Sequence, residues 1–231
     1  MSNFLVTGGA GFIGSHIVEA LLKRGDKVRV LDNFVTGSRG NVPKGVEVVE
    51  ASIVDRQVIN PAFKGIDGVF HTAALARVQE SIENPFESNE INIAGILNVI
   101  IATRDAGVRR IVFSSSSAVY GDPSILPTPE DTLPNPKSPY ALQKYVGEGY
   151  MKLASLFWGV QTVSLRYFNV YGPRMPLEGA YKLVIPIFLD QKARGKKMTI
   201  TGDGTQTRDF VYVDDVVQAN LLAMDAHNVG K

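Results

Sequence analysis

A doubly wound parallel α/β sheet, with helices on both faces, is the fold this sequence predicts. Three observations carry it. Short, wholly apolar runs recur along residues 1–170, helical stretches separate them, and the first run passes through a glycine cluster directly into a helix. Strands that are apolar throughout are strands buried on both faces, and burial of both faces requires crossover helices above and below the sheet.

Taken in order, Phe4-Leu5-Val6 reads as the first strand, followed by a helix from about Ser15 to Arg24 that Gly25 closes. Val28 to Leu31, Val46 to Glu50 and Gly68 to His71 are the next three strands. A long helix is expected from Pro85 to Asp105, because Ile91, Ile93, Ile96, Leu97, Ile100 and Ile101 give it an apolar face. Arg110 to Phe113 is the fifth strand, residues 123–139 form a proline-rich loop, Tyr140 to Phe157 is a helix, and Gln161 to Arg166 returns to strand. From Tyr171 the texture changes to turns and short elements. The expected division is therefore residues 1–170 as a nucleotide-binding domain and 171–231 as a smaller substrate-binding part, interleaved with the first.

Composition narrows the function. Lys plus Arg number 24 against 23 Asp plus Glu, a net charge of +1, which offers no electrostatic footprint for nucleic acid or an anionic membrane, so neither is an expected partner. The chain has no cysteine. That excludes disulfides, thiolate zinc sites and cysteine nucleophiles, and suits a reducing, cytoplasmic setting. No apolar stretch approaches the ~20 residues of a membrane-spanning helix, and the opening MSNFLVTGG lacks the basic region of a signal peptide.

The glycine cluster carries the first chemistry. Gly9, Gly11 and Gly14 fit G-x-G-x-x-G, and Gly8, Gly11 and Gly14 share a G-x-x-G-x-x-G spacing. Between a strand and a helix, such glycines let backbone N–H groups approach a pyrophosphate at the positive end of the helix. Asp32, ending the second strand, stands at the distance where a carboxylate accepts two ribose hydroxyls and repels a 2′-phosphate, so NAD rather than NADP is the expected cofactor. A glycine-rich turn with a helix-capping aspartate is the plain alternative, and the strand–loop–helix context argues against it.

Ser138-Pro139-Tyr140-Ala141-Leu142-Gln143-Lys144 reads as a helix start, with Ser138 at the cap and Pro139 in the first helical position. Tyr140 and Lys144 then share one face. A phenol with an ordinary pKa of ~10 is too weakly acidic to act as a base at neutral pH. A neighbouring ammonium, with a positive nicotinamide ring, is expected to favour the phenolate and make Tyr140 a general base.

Together these features resemble the extended short-chain dehydrogenase/reductases, whose cofactor domain is a Rossmann-type sheet, and more narrowly the NAD-dependent nucleotide-sugar 4-epimerases of the UDP-glucose/UDP-N-acetylglucosamine type. The likeness runs along the chain: VTGGAGFIGSH, LDNF, HTAAL, FSSSSAVYG, SPYALQKY, LRYFNVYGPR and GDGTQTRDFVYVDD. The resemblance implies Ser116, Tyr140 and Lys144 as the catalytic set. It implies that Gly8, Gly11, Phe12, Ile13 and Gly14 hold the pyrophosphate, that Asp32 and Asn33 meet the adenosine ribose with Thr36 and Gly37 beside them, and that Asn92 and Tyr167 contact the cofactor. Lys144 would also hold the nicotinamide ribose, and Ser116 would bond the sugar 4-hydroxyl. Asn169 and Arg208 are implied as ligands of the substrate's diphosphate, a role that suits a forked guanidinium. Ser52 stands where many relatives carry an acid near the adenine.

The same resemblance bears on reaction type. Related 4,6-dehydratases place an Asp–Glu pair where Ser117 and Ala118 stand, and related decarboxylases place Glu at the position of Ala118. Serine and alanine supply neither the acid nor the base that elimination needs, so return of hydride to a 4-keto sugar, with inversion at C4, is the expected outcome. The retained alternatives are another nucleotide-sugar reaction or a non-catalytic NAD-binding regulator. Relatives usually continue past the YVDD segment, so the substrate part is expected to be incomplete and the hexose series stays open. A homodimer through the helices from Pro85 and Tyr140 is expected by the same resemblance.

Other candidates have plainer readings. His71 is expected as a hydrogen-bonded residue near the cofactor, and His16 and His227 as helix and surface residues. Asp214 and Asp215 are expected to cap a helix rather than bind a metal. No G-x-S-x-G surrounds the serine run, which argues against a hydrolase. Arg77 and Val78 are expected on a loop lining the pocket.

Overall fold

Apolar alternation in the first strand already fixes the layering. In β1 (Asn3–Thr7), Leu5 faces one way while Phe4 and Val6 face the other, and all three are buried. The computed structural model describes residues 1–176 and 184–226. His227 lies outside them.

The chain proceeds through α1 (Phe12–Lys23), β2 (Lys27–Asp32), β3 (Glu47–Glu50), the short α2 (Arg56–Ile59), β4 (Gly68–His71), α3 (Val78–Glu83) and α4 (Pro85–Asn89). A π-helical turn, Glu90–Ala94, leads into α5 (Gly95–Asp105). Then come β5 (Arg110–Ser116), a 3-10 turn at Ser117–Tyr120, α6 (Pro139–Phe157), β6 (Gln161–Tyr167) and β7 (Asn169–Tyr171). Helix α7 (Val184–Ala193), β8 (Phe210–Tyr212) and α8 (Val213–Asp225) complete the described chain.

Six parallel strands form one sheet in the order β3-β2-β1-β4-β5-β6, and β7 and β8 pair in parallel separately. The order reverses between β1 and β4, and doubly wound sheets bind ligands in the crevice that this reversal opens beyond the strand C-termini. On one face Leu5, Leu31, Phe63, Val69, Ile111 and Met151 belong to a layer closed by α5 and α6. On the other, Phe4, Val6, Phe70 and Val112 meet Ile17 and Leu21 of α1 and Val217, Ala223 and Met224 of α8.

Four expectations change. Helix α1 begins inside the glycine motif, at Phe12 rather than Ser15. The expected helix from Pro85 to Asp105 is interrupted by the π turn. Val78 opens α3 with Arg77 at its N-cap, so these two are not simply loop residues. Beyond Tyr171 the chain is not only turns and short elements: the 13-residue α8 reaches back into the main core, and Arg110 donates to its last carbonyls, Ala223 O at 3.1 Å and Met224 O at 2.6 Å. The apolar core thus does not stop at residue 170.

Candidate active site

The glycine cluster builds a cradle with no room for side chains. A Cβ on Gly14 would lie 2.2 Å from Gly8 O, and one on Gly8, whose φ is +69°, would lie 2.7 Å from Ala73 N. Gly11, the N-cap of α1, brings no side-chain cap. The first amides of α1 therefore remain available at the positive helix end, the arrangement that receives a pyrophosphate. Asp32 is buried and does more than await a ribose: Oδ2 accepts Ala10 N at 2.9 Å and Oδ1 accepts Phe34 N at 2.8 Å. Each oxygen keeps a second lone pair for a hydroxyl. A Cβ on Gly37 would touch Asp32 Oδ1 and Ala10 Cβ at 2.9 Å, while Asn33 and Thr36 are exposed at the rim. Ser52 spends its hydroxyl on Val54 N, 3.4 Å away. The residues present fit a dinucleotide.

Beyond β4 and β5 lies the second half of the site. Ser138 Oγ caps α6 by accepting Ala141 N at 3.2 Å, and Ser81 Oγ of α3 accepts Tyr140 N at 3.1 Å. The first turn of α6 is thus fixed from two sides, and Tyr140 and Lys144 are both buried on it. Lys144 Nζ donates to Ser114 O at 2.8 Å and lies 5.8 Å from the centre of the Tyr140 ring. Burial pulls the Lys144 ammonium down to about 8, with the Glu148 carboxylate opposing. For Tyr140, burial raises the phenol above its ordinary value, and the Ser116 side chain opposes that rise. The expected acidification by Lys144 is therefore not achieved by the protein's own groups. Desolvation outweighs the Ser116 hydrogen bond, and the positive nicotinamide ring, the other half of that expectation, is not one of the protein's groups.

The serine run lies on β5 itself, which continues to Ser116 and pairs Ser114, Ser115 and Ser116 with Leu165, Arg166 and Tyr167 of β6. Each hydroxyl has its own task. Ser114 Oγ meets Tyr167 OH at 3.1 Å, Ser115 Oγ donates to Glu148 Oε1 at 2.6 Å, and Ser116 Oγ, besides facing Tyr140, accepts Ala118 N at 3.2 Å. Glu148 is gripped by two further bonds from Arg166, at 2.8 and 2.7 Å.

Two expected cofactor contacts are spent internally. Asn92 is buried, with Oδ1 accepting Leu75 N and Nδ2 donating to Leu75 O and Gln143 Oε1, all at 2.9 Å. Tyr167 OH lies between Ser114 Oγ and Asn220 Nδ2, the latter at 2.6 Å, and burial pushes this phenol up to about 12. Asn92 braces the loop after β4, and Tyr167 braces the strand end under Lys144. His71 is buried as expected, its Nδ1 2.7 Å from Thr7 Oγ1, its ring stacked on Phe113 and its Nε2 unpartnered. Burial, helped by the Lys144 charge, lowers its pKa to about 3. Asn169 opens β7 and Arg208 lies in the segment just before β8: Asn169 Nδ2 donates to Asp209 O at 2.8 Å, and Arg208, exposed, donates to Thr207 O. Asp214 and Asp215 sit in the first turn of α8, where carboxylates meet the positive helix end, and Tyr212 rather than either of them is the N-cap.

A cradle for a dinucleotide beside a buried Tyr–Lys pair narrows the family, and the comparison with known proteins decides it. Residues 4–231 match the model of the NAD dependent epimerase/dehydratase family. The chain belongs to this family. It is 46% identical over 228 residues to a Methanocaldococcus jannaschii protein provisionally named a UDP-glucose 4-epimerase, covering 97% of this chain and 74% of that one. The UDP-N-acetylglucosamine 4-epimerase of Methanobrevibacter ruminantium, solved with UDP-N-acetylmuramic acid, superposes with a TM-score of 0.94 at 39% identity, over 99% of this chain and 74% of that one. The UDP-glucose 4-epimerase of Thermotoga maritima, solved with UDP-glucose, gives 0.93 at 42%, over 96% and 73%. More distant matches include a UDP-N-acetyl-glucosaminuronate decarboxylase and a dTDP-glucose 4,6-dehydratase. The chain thus spans about three quarters of the length of these epimerases, and as a member of the family it depends on NAD.

Sequence reading did not single out Ser81, Ser88, Gln143, Glu148, Arg166 or Asn220. A polar residue inside an apolar helical run, as at Asn92, is the signal that a buried network exists, but its partners Ser88 and Gln143 have no local mark.

Proposed function

We propose that this protein catalyses C4 epimerisation of a UDP-hexose, in the glucose/galactose series or its N-acetylated counterpart, through a 4-keto intermediate. One observation carries the reading: the buried Tyr140–Lys144 pair opens onto a strand end whose next residues, Ser117 and Ala118, bring no acid, while Glu148, the carboxylate bonded to that strand, is held by Arg166 and Ser115.

In this proposal the amides of Phe12, Ile13 and Gly14 hold the pyrophosphate, with Gly8 and Gly11 leaving room for its approach, Asp32 and Asn33 hold the adenosine ribose, and Lys144 the nicotinamide ribose. Bound NAD supplies reversible acceptance of hydride at C4. Tyr140 takes the proton of the sugar 4-hydroxyl and later returns it. The phenol must first be made acidic against its burial, which the Lys144 ammonium and the positive ring of the oxidised cofactor favour together. Ser116 steadies the hydrogen bond between the sugar and Tyr140. Asn169 and Arg208 hold the diphosphate, about which the keto sugar turns to present its other face. Elimination chemistry would need a carboxylic acid at Ser117 or Ala118, so dehydration and decarboxylation are the disfavoured readings.

A second copy of the chain is proposed to pack on α4 and α6, where Phe86, Leu153, Leu156 and Phe157 are exposed, and a cytoplasmic setting is part of the same proposal. Sedimentation and cell fractionation test these two points. The activity is tested by incubating the purified protein with a panel of UDP-hexoses and separating the C4 epimers. Interconversion of a 4-epimer pair is the expected result. Formation of a 4-keto-6-deoxy sugar or a pentose would overturn the reading, as would bound NAD with no sugar turnover.

A further inference from the structure

One ion-pair cluster outside the catalytic set joins the loop after β7 to α1. Arg174, three residues past β7, forks onto Glu19 of α1, with Nη1 to Oε1 at 3.0 Å and Nη2 to Oε2 at 2.9 Å. The same Nη2 donates to His16 Nδ1 at 3.1 Å, and His16 Nε2 lies 3.0 Å from Pro173 O. The partners dictate the tautomer. A guanidinium has only donors and a carbonyl only acceptors, so Nδ1 accepts and Nε2 carries the hydrogen. Arg174 holds this grip at a φ of 65°, a backbone setting that side chains other than glycine rarely adopt.

The face of α1 that is gripped is the informative part. Phe12, His16 and Glu19 are spaced to share one side of the helix, and the Phe12 ring meets His16 edge-on with centroids 5.8 Å apart. Phe12 is also the first residue of α1, directly beside the glycine cradle. The clasp therefore ties the loop after β7 to the helix whose first amides receive the pyrophosphate, across 155 residues of sequence.

We propose that Arg174 is a positioning residue that latches this loop onto α1 and thereby sets how long NAD stays bound. A dinucleotide that must be reduced and reoxidised within one catalytic cycle has to outlast that cycle, and a latch at the cradle slows its escape without touching the reacting atoms. The need for such a latch rests on the proposed cycling of NAD within one turnover, but its test reads NAD release alone, so retained NAD without epimerisation would sink the preceding proposal while the release rates still decide this one.

The test is the release rate of NAD from the loaded protein, measured by stopped-flow displacement with an excess of a fluorescent NAD analogue. Arg174→Ala is expected to release NAD at least tenfold faster. Arg174→Lys, with a charge but no fork, should fall in between. Glu19→Gln should act in the same direction, and the double variant should release no faster than Arg174→Ala, because both remove one device. Ile59→Val, a core change remote from the clasp, controls for loss of stability. Wild-type release from Arg174→Ala, strictly additive effects of the two changes, or equally fast release from Ile59→Val would each overturn the proposal. Should Arg174→Ala fail to fold, the Arg174→Lys and Glu19→Gln rates decide on the same criteria.

Discussion

The two sheets of this protein are built to different standards. At the end of the six-stranded sheet, Tyr140, Lys144, Asn92, Gln143 and His71 are buried and most of their polar atoms are bonded to other residues of the chain. Around the two-stranded sheet, Arg208 bonds, among the described residues, only its neighbour's carbonyl, and Phe210 and Tyr212 are more than a third exposed. The first region is held together by bonds within the chain; among the described residues, the second is much less so. Groups that hold charge for chemistry need a fixed, water-poor setting, whereas groups that grip a mobile diphosphate need only reach.

That contrast predicts effects of graded size. The largest belongs to Tyr140→Phe, which removes one hydroxyl from the assembled region: turnover in the epimer assay should fall by ~10²–10⁴-fold, with NAD retention and melting temperature near wild type. Unchanged turnover would remove Tyr140 from the mechanism.

Acid is the next perturbation. His71 has a folded pKa of about 3 against 6.5 for the free group, so the unfolded chain binds the extra proton between those values. Stability is fully present above pH 6.5 and is lost as pH falls towards 3, by on the order of 4 to 5 kcal/mol as an upper bound. Denaturant melts from pH 7 to pH 4 should show the decline, and His71→Asn should flatten it. A parallel decline in the variant would assign the acid sensitivity elsewhere.

Asn92→Ala strips the Leu75 N–H and C=O of their Asn92 partner and leaves Gln143 Oε1 with Ser88 alone, and should cost about 2–4 kcal/mol, read as a lower denaturation midpoint accompanied by weaker NAD binding. Smallest in stability is Arg208→Ala. Its melting should stay within ~0.5 kcal/mol of wild type, while KM for the UDP-sugar rises by ~10–100-fold through loss of a charged hydrogen bond. A large stability loss at Arg208 would show that the second sheet is as preassembled as the first.

The strands, the glycine cradle and the Ser138–Lys144 helix start were legible because their signals are local: an apolar run, a fixed spacing, a cap. Strand β5 was misjudged in length because serine is not a strand signal, though its backbone pairs as well as any. The π turn escaped because the apolar spacing from Pro85 to Asp105 tolerates one inserted residue without losing its overall period. What sequence does not show at Tyr140 is the burial of its phenol, which raises its pKa and against which the ammonium and the nicotinamide ring together have to act. Arg174 and Glu19 are an ordinary arginine and an ordinary glutamate until the fold brings them together.

Helix α8 has a consequence for biosynthesis. It contributes Val217, Ala223 and Met224 to the layer that also covers Phe4 and Phe70, so β1 is sealed by a helix made long after it. At ~5–20 residues per second, that face waits on the order of ten to forty seconds for its cover. During that interval a nascent chain displays an oily surface that chaperones, or neighbouring nascent chains, are free to find.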